Sequence, residues 1–293
     1  MSSHSKARSR VGRCNICRAY GKLTDDHVPP KGSVVITPVE IRDFLRWIST
    51  LPGAGSPAPD ARPGTTSRPR LSQNGMKFKT LCASCNNVRL GARYDLELNR
   101  VSRAIGQLAK AHYGLEVPTT LRIPVRTHHL MRGVIGHLLA AGPAPDSRTF
   151  GQANDSSVHP DDTLRAYFLD EHLPLPPNIK IYYWPYPGTE QSIVPGLGLS
   201  INDGSGGVVG HLLKFFPIAY FVVFHATGNV ALNVPHVHGG DGCADPNCEV
   251  RLDVDFRSTP PTSWPEAPGP QHSTLLLAEL ARFVRPRRPR RTG

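Results

Sequence analysis

The sequence predicts an α+β protein in two parts: a short N-terminal module framed by paired cysteines, then a larger mixed α/β domain. Three observations predict this. Four of the six cysteines fall into two close pairs, Cys14-x2-Cys17 and Cys82-x2-Cys85. Apolar spacing changes along the chain, from recurrence at three and four before about residue 115 to short strand-like runs broken by Pro and Gly beyond it. Charge is divided in a similar way: residues 1–132 carry 22 Lys and Arg against 8 acidic residues, and residues 133–284 carry 7 against 15.

The 293 residues have room for two ordinary domains. Residues 1–10 have almost nothing to bury and read as a disordered basic N-terminus. Val34–Thr37 reads as a short strand. Pro38–Ile48 reads as a helix, with Pro38 in its first turn and Val39, Ile41, Phe44, Leu45 and Ile48 apolar. Residues 52–70 are Pro, Gly, Ser and Arg without periodicity, and read as a flexible insert. Met76–Leu81 reads as a strand, and Ala83–Leu90 as a helix that Gly91 is placed to end. Tyr94–His112 is a further helix, with Leu98, Val101, Ile105 and Leu108 on one face. In the second part, Thr120–Val125, Ile179–Trp184, Val194–Ile201, Ile218–His225 and Val250–Phe256 read as strands and Leu130–Ala141 as a helix. Thr274–Val284 reads as a final amphipathic helix. The layout is a module over 11–95, a domain over 96–284 and a basic tail over 285–293.

No run of about 18 apolar residues exists, so no membrane-spanning helix is expected. The basic stretch Met1–Arg13 is not followed by an apolar segment, so a secretory signal is not expected and the reading is cytoplasmic. The net charge of +11, concentrated in the first half, points to a polyanionic partner, the alternative being a solvated basic face.

Paired Cys-x2-Cys units in a cytosolic chain read as one tetrahedral zinc site rather than as disulfides. Cys14, Cys17, Cys82 and Cys85 would supply four thiolates and close the coordination shell, which makes the zinc structural. The 64 residues between the pairs include the flexible insert, and loop closure grows only slowly more costly with length.

Between the pairs lies Leu23-Thr-Asp-Asp-His-Val-Pro-Pro-Lys31, and directly after the second lies Asn86-Asn87. With Cys14-x2-Cys17, Asp26-His27, Pro29-Pro30 and Leu81-Cys-Ala-Ser-Cys-Asn86 in this order, residues 11–95 resemble the zinc-containing HNH endonucleases, also called His-Me finger nucleases. The resemblance implies a ββα-metal fold and hydrolysis of phosphodiester bonds. It makes His27 the general base and Asp26 and Asn86 the ligands of a catalytic Mg²⁺ or Mn²⁺. Adjacent residues on a strand point to opposite sides, so Asp26 and His27 can serve different sides of one phosphate. An imidazole suits a base at neutral pH. One carboxylate and one amide oxygen suit a hard cation better than a second zinc. Asp25 would be solvent-facing or behind Asp26, and a slip from Asn86 to Asn87 stays open. The middle Asn of the family lies about five residues before the third cysteine, where this chain has Lys77; Asn74 is the substitute. Lys31, Arg89 and Arg93 are candidates for phosphate contacts, or plain surface charges.

In the second part, His236, His238, Cys243 and Cys248 read either as a second metal site or as a glycine-rich loop with incidental cysteines. His128-His129 has a surface or core role. Trp184-Pro-Tyr-Pro187 and Lys214-Phe-Phe-Pro217 line a pocket, stack bases, or pack the core. The tail Arg285–Arg291 reads as a flexible polycation with salt-dependent affinity for nucleic acid. The leading reading is a metal-dependent DNA endonuclease, with restriction or phage defence as a plausible setting. The alternative is a non-catalytic zinc-finger nucleic-acid-binding protein. A third reading makes the cysteine module a scaffold for an active acidic domain.

Overall fold

The computed structural model describes residues 10–33, 39–43, 70–72, 75–111, 119–142, 159–201, 203–228, 230, 232–237, 245–267, 272–276 and 282–286. The elements in chain order are strands β1 (Val11–Arg13), β2 (Tyr20–Val28), β3 (Val39–Asp43), β4 (Arg70–Ser72) and β5 (Met76–Cys82), then helices α1 (Ser84–Tyr94) and α2 (Asp95–Ala111). They continue with β6 (Thr120–Arg126), α3 (Thr127–Ala141), α4 (Pro160–Leu169), β7 (Lys180–Pro185), β8 (Gln191–Ile201), β9 (Gly206–Phe215), β10 (Ile218–Gly228), β11 (Glu249–Asp255), β12 (His272–Leu276) and β13 (Arg282–Pro286). The fold is mixed α+β.

Strands β1, β2 and β5 form a small antiparallel sheet, with β2 in the middle. A larger sheet runs β4-β3-β13-β8-β9-β10-β7, and β12 also pairs with β8. One strand serves β12 and β13 because β8 is irregular between Val194 and Leu197, where Gly196 takes a positive φ of 81°. Its N-terminal residues 191–193 pair with β13, and its C-terminal residues 197–201 pair with β12. Strands β6 and β11 form a separate pair.

Helix α3 is the axis of the core. All fifteen of its residues are buried, as expected of a helix enclosed on every side. Gly136 lets α3 come close to its neighbours: a Cβ there would lie 2.5 Å from Leu90 Cδ2 and 2.6 Å from Phe168 Cε2. The carbonyls at its C-terminal end lack intrahelical partners. Asn15 Nδ2 donates to Leu139 O at 3.2 Å and Gly142 O at 3.0 Å, and Thr80 Oγ1 donates to Ala140 O at 2.6 Å. These donors come from the cysteine-framed segment, and one apolar core runs from Cys14 through α3 to Val254.

Three local expectations change. The first half of the helix expected over Pro38–Ile48 is β3, because Val39–Asp43 pair with β4 on one side and β13 on the other; residues 44–48 lie outside the described residues. Gly91 does not end a helix. The π-wound α1 runs directly into α2, with Leu90, Tyr94, Leu98, Val101 and Ile105 buried along it. Of the final helix expected over 274–284, residues 274–276 lie in β12 and residues 282–284 in β13, both paired with β8, while residues 277–281 lie outside the described residues. The expected strand at Val34–Thr37 and the insert at 52–69 fall outside the described residues. The elements α4 and β9 have no counterpart in the sequence reading.

Candidate metal centre and active site

Cys14 and Cys17 follow β1, Cys82 closes β5, and Cys85 lies in the first turn of α1. Their four sulfur atoms lie within 4.8 Å of one another, and all four cysteines are free thiols. Cys17 Sγ and Cys82 Sγ are 3.6 Å apart. A tetrahedral ion with bonds of about 2.3 Å sets its sulfurs about 3.8 Å apart, so the cluster has the dimensions of a four-thiolate metal site. The crowded thiols oppose one another. A hydrogen bond from Cys85 draws Cys14 down to about 4, the same bond pushes Cys85 up, and burial pushes Cys17 up. A central dication is the partner that favours all four thiolates together.

The frame sets β2 and β5 against α1. Asp26 pairs across the strands with Phe78, and His27 with Lys77; the register slips between Thr24 and Asp26, where Asp25 alone stands opposite Lys79 and Thr80, so the bulge's extra residue is on β5. Alternation then sorts the side chains. Asp25 is exposed, Asp26 is buried at 3% exposure and His27 is half-buried. Asn86, next to Cys85, is buried against β2 while Asn87 is exposed. The Asn86 Nδ2 donates to Thr24 Oγ1 at 2.9 Å and to Asp25 O at 3.0 Å. With both amide protons used, the orientation of the amide is fixed and its oxygen is left as an acceptor.

Asp26 faces inward. Its Oδ2 lies 3.0 Å from His137 Nδ1, and His137 Nε2 lies 2.9 Å from Asp95 Oδ1. His137 is fully buried in α3. Burial works to lower its pKa, but Asp26 and Asp95 flank the ring from both sides and hold it up to about 10. Burial raises the Asp26 carboxyl, against the pull of His137. On the other side of β2, partial burial together with Lys31 and Lys77 holds His27 below the usual histidine value.

His137 and Asp95 were not singled out in the sequence. The only trace of such a role is that a helix as apolar as α3 contains His128, His129, Arg132 and His137, each of which, once buried, calls for an explanation. His128 Nδ1 meets Tyr167 Oη at 2.9 Å, and Arg132 bonds carbonyls at the end of α4. Arg89 also reaches that end, donating to Leu169 O at 2.6 Å, and Arg93 pairs with Glu171. Lys31 is exposed beside His27, and Asn74 lies outside the described residues.

The second cysteine group does not form a metal site through Cys248, whose sulfur is in a disulfide bond and so is not a thiolate ligand. His236 bridges to Tyr182 and packs on its ring, while His238 and Cys243 lie outside the described residues. The two Pro-aromatic motifs meet at one cavity of about 440 Å³, lined by Leu108, Pro185, Tyr186, Phe216, Pro217 and Phe256 among others. Among the described residues no helix is long and apolar enough to cross a membrane.

No family model, curated protein or solved structure matches this chain.

Proposed function

We propose that this protein is a metal-dependent endonuclease of the ββα-metal type that hydrolyses phosphodiester bonds in DNA, with a structural zinc in the four-cysteine frame. The observation that carries the reading is the arrangement around β2. A histidine stands half-open on one side, the adjacent acid faces inward, and an asparagine on the cysteine-framed helix is locked through its amide nitrogen, with no partner on its amide oxygen among the described residues. A plain zinc finger has no need of this second set of residues.

Asp26 and Asn86 would hold a Mg²⁺ or Mn²⁺ ion; both offer hard oxygen donors, and Asn86 is bonded to Thr24 and Asp25, the two residues before Asp26. When bound, the cation offsets the negative charge that develops on the phosphate oxygens. His27, on the other side of the strand, takes the proton from the attacking water, and its neutral imidazole is the form that can accept it. Lys31 and Lys77 are exposed beside His27 and draw the phosphate toward it. Zinc fixes Cys85, α1 fixes Asn86, and the β2–β5 pairing fixes Asp26 and His27.

The test is incubation of the purified full-length protein with supercoiled plasmid, with and without Mg²⁺ or Mn²⁺, beside His27→Ala. Metal-dependent nicking or linearisation by the parent alone is the expected result. Tight plasmid binding without cleavage under any metal condition replaces this reading with the zinc-finger binding protein.

A further inference from the structure

The geometry points to His137 and Asp95 as positioning residues for the proposed metal ligand Asp26, an inference that rests on the nuclease reading. His137 lies 111 residues from Asp26 in sequence, yet its Nδ1 meets Asp26 Oδ2 at 3.0 Å, and Asp95 meets its Nε2 at 2.9 Å. The imidazole therefore has no rotational freedom. One oxygen of Asp26 is held, the plane of the carboxylate is fixed, and the lone pairs that His137 does not engage are the ones a cation would use. Outer partners of this kind set the orientation and basicity of a ligating group.

The arrangement is a poor device for stability alone. Buried ion pairs are often matched or exceeded in stability by apolar residues of similar volume, and α3 is otherwise an apolar helix at this point. The support behind His137 is also rigid. Gly136 next to it brings α3 within contact distance of Leu90 on α1 and Phe168 on α4, and Asn15 and Thr80 tie down the end of the helix. The cysteine-framed segment thus reaches Asp26 along β2 and also through α3. The ligand geometry depends on a helix outside the segment that carries the motif.

The experiment measures Mn²⁺ affinity of the zinc-loaded full-length protein by titration calorimetry or electron paramagnetic resonance, with zinc content and melting temperature recorded for each variant. His137→Gln is expected to weaken Mn²⁺ binding by about 10–100-fold while keeping one zinc per chain. Asp95→Ala, which removes the second anchor of the ring, is expected to act in the same direction and carries the test should His137→Gln not fold. Asp95→Asn keeps an acceptor for Nε2 and should restore much of the loss. Folded variants with the parent's Mn²⁺ affinity overturn the inference and leave the nuclease reading standing. A parent that binds no Mn²⁺ overturns both. The expected losses in a parent that binds Mn²⁺ but leaves plasmid intact support the positioning role and overturn the nuclease reading.

Discussion

His27 and Asp26 are neighbours on one strand, yet their replacement should fail in different ways. In His27→Ala the zinc frame and the Asp26–His137 contact are untouched, so cleavage should fall by roughly 10²–10⁴-fold without loss of folding. In Asp26→Ala the cation proposed there would lose its only charged ligand, so on the nuclease reading raising Mn²⁺ should partly restore cleavage, whereas it should do little for His27→Ala. Plasmid cleavage across a Mn²⁺ series checks both, and rescue of His27→Ala alone would mean that the two roles are reversed. A different residue contributes to acid stability. His129 is 5% exposed, and both its ring nitrogens lack partners among the described residues. Burial, with Arg126 and Arg93 nearby, lowers it from 6.5 to about 4. The unfolded chain takes up a proton below pH 6.5 that the folded chain refuses, so this part of the stability is complete above pH 6.5 and is lost as the pH falls towards 4. His129→Phe should melt with a shallower pH dependence between pH 7 and 5. Parallel curves for parent and variant would remove His129 from the account.

At the scale of elements, the cysteine frame and the crossing of α3 with α1 and α4 decide whether the site exists. Zinc binding to such a frame contributes folding free energy on the order of 10 kcal/mol. Cys85→Ser should therefore lose zinc and the cooperative melting of the β2–β5–α1 unit together, as read by metal analysis and calorimetry; full zinc content in the variant would contradict the four-thiolate assignment. Gly136→Ala should destabilise by about 1–3 kcal/mol even though alanine favours helices, because the added methyl meets Leu90 and Phe168. A denaturant midpoint at or above the parent's would show that the three helices separate more easily than their packing implies. Strand identity was the weakest part of the sequence reading. Val39–Asp43 and Thr274–Val284 show helix-like apolar spacing, yet the described parts of both are strands, because hydrogen-bonding partners decide what a short apolar run becomes.

For the whole molecule, the uneven charge gives one test. Residues 287–293 lie outside the described residues, while Arg285 and Pro286 belong to β13, so a truncation after Pro286 removes four arginines and spares the strand. It should flatten the salt dependence of DNA binding without changing turnover at saturation; an unchanged slope would mean that the tail touches no phosphate. The sequence by itself determined the features whose physics is local: two Cys-x2-Cys pairs that close on one site, an acid and a histidine on opposite sides of a strand, and Asn86 one step along the helix from Cys85. Ligand spacing and strand alternation are written over two to four residues, so they can be read without knowing the fold. The tertiary structure alone decided that Asp26 points inward to His137 and Asp95, that a helix outside the motif closes over the site, and that β3, β12 and β13 join the large sheet. Those outcomes depend on hydrogen bonds and packing between residues tens to more than a hundred positions apart, and local periodicity carries no record of such partners.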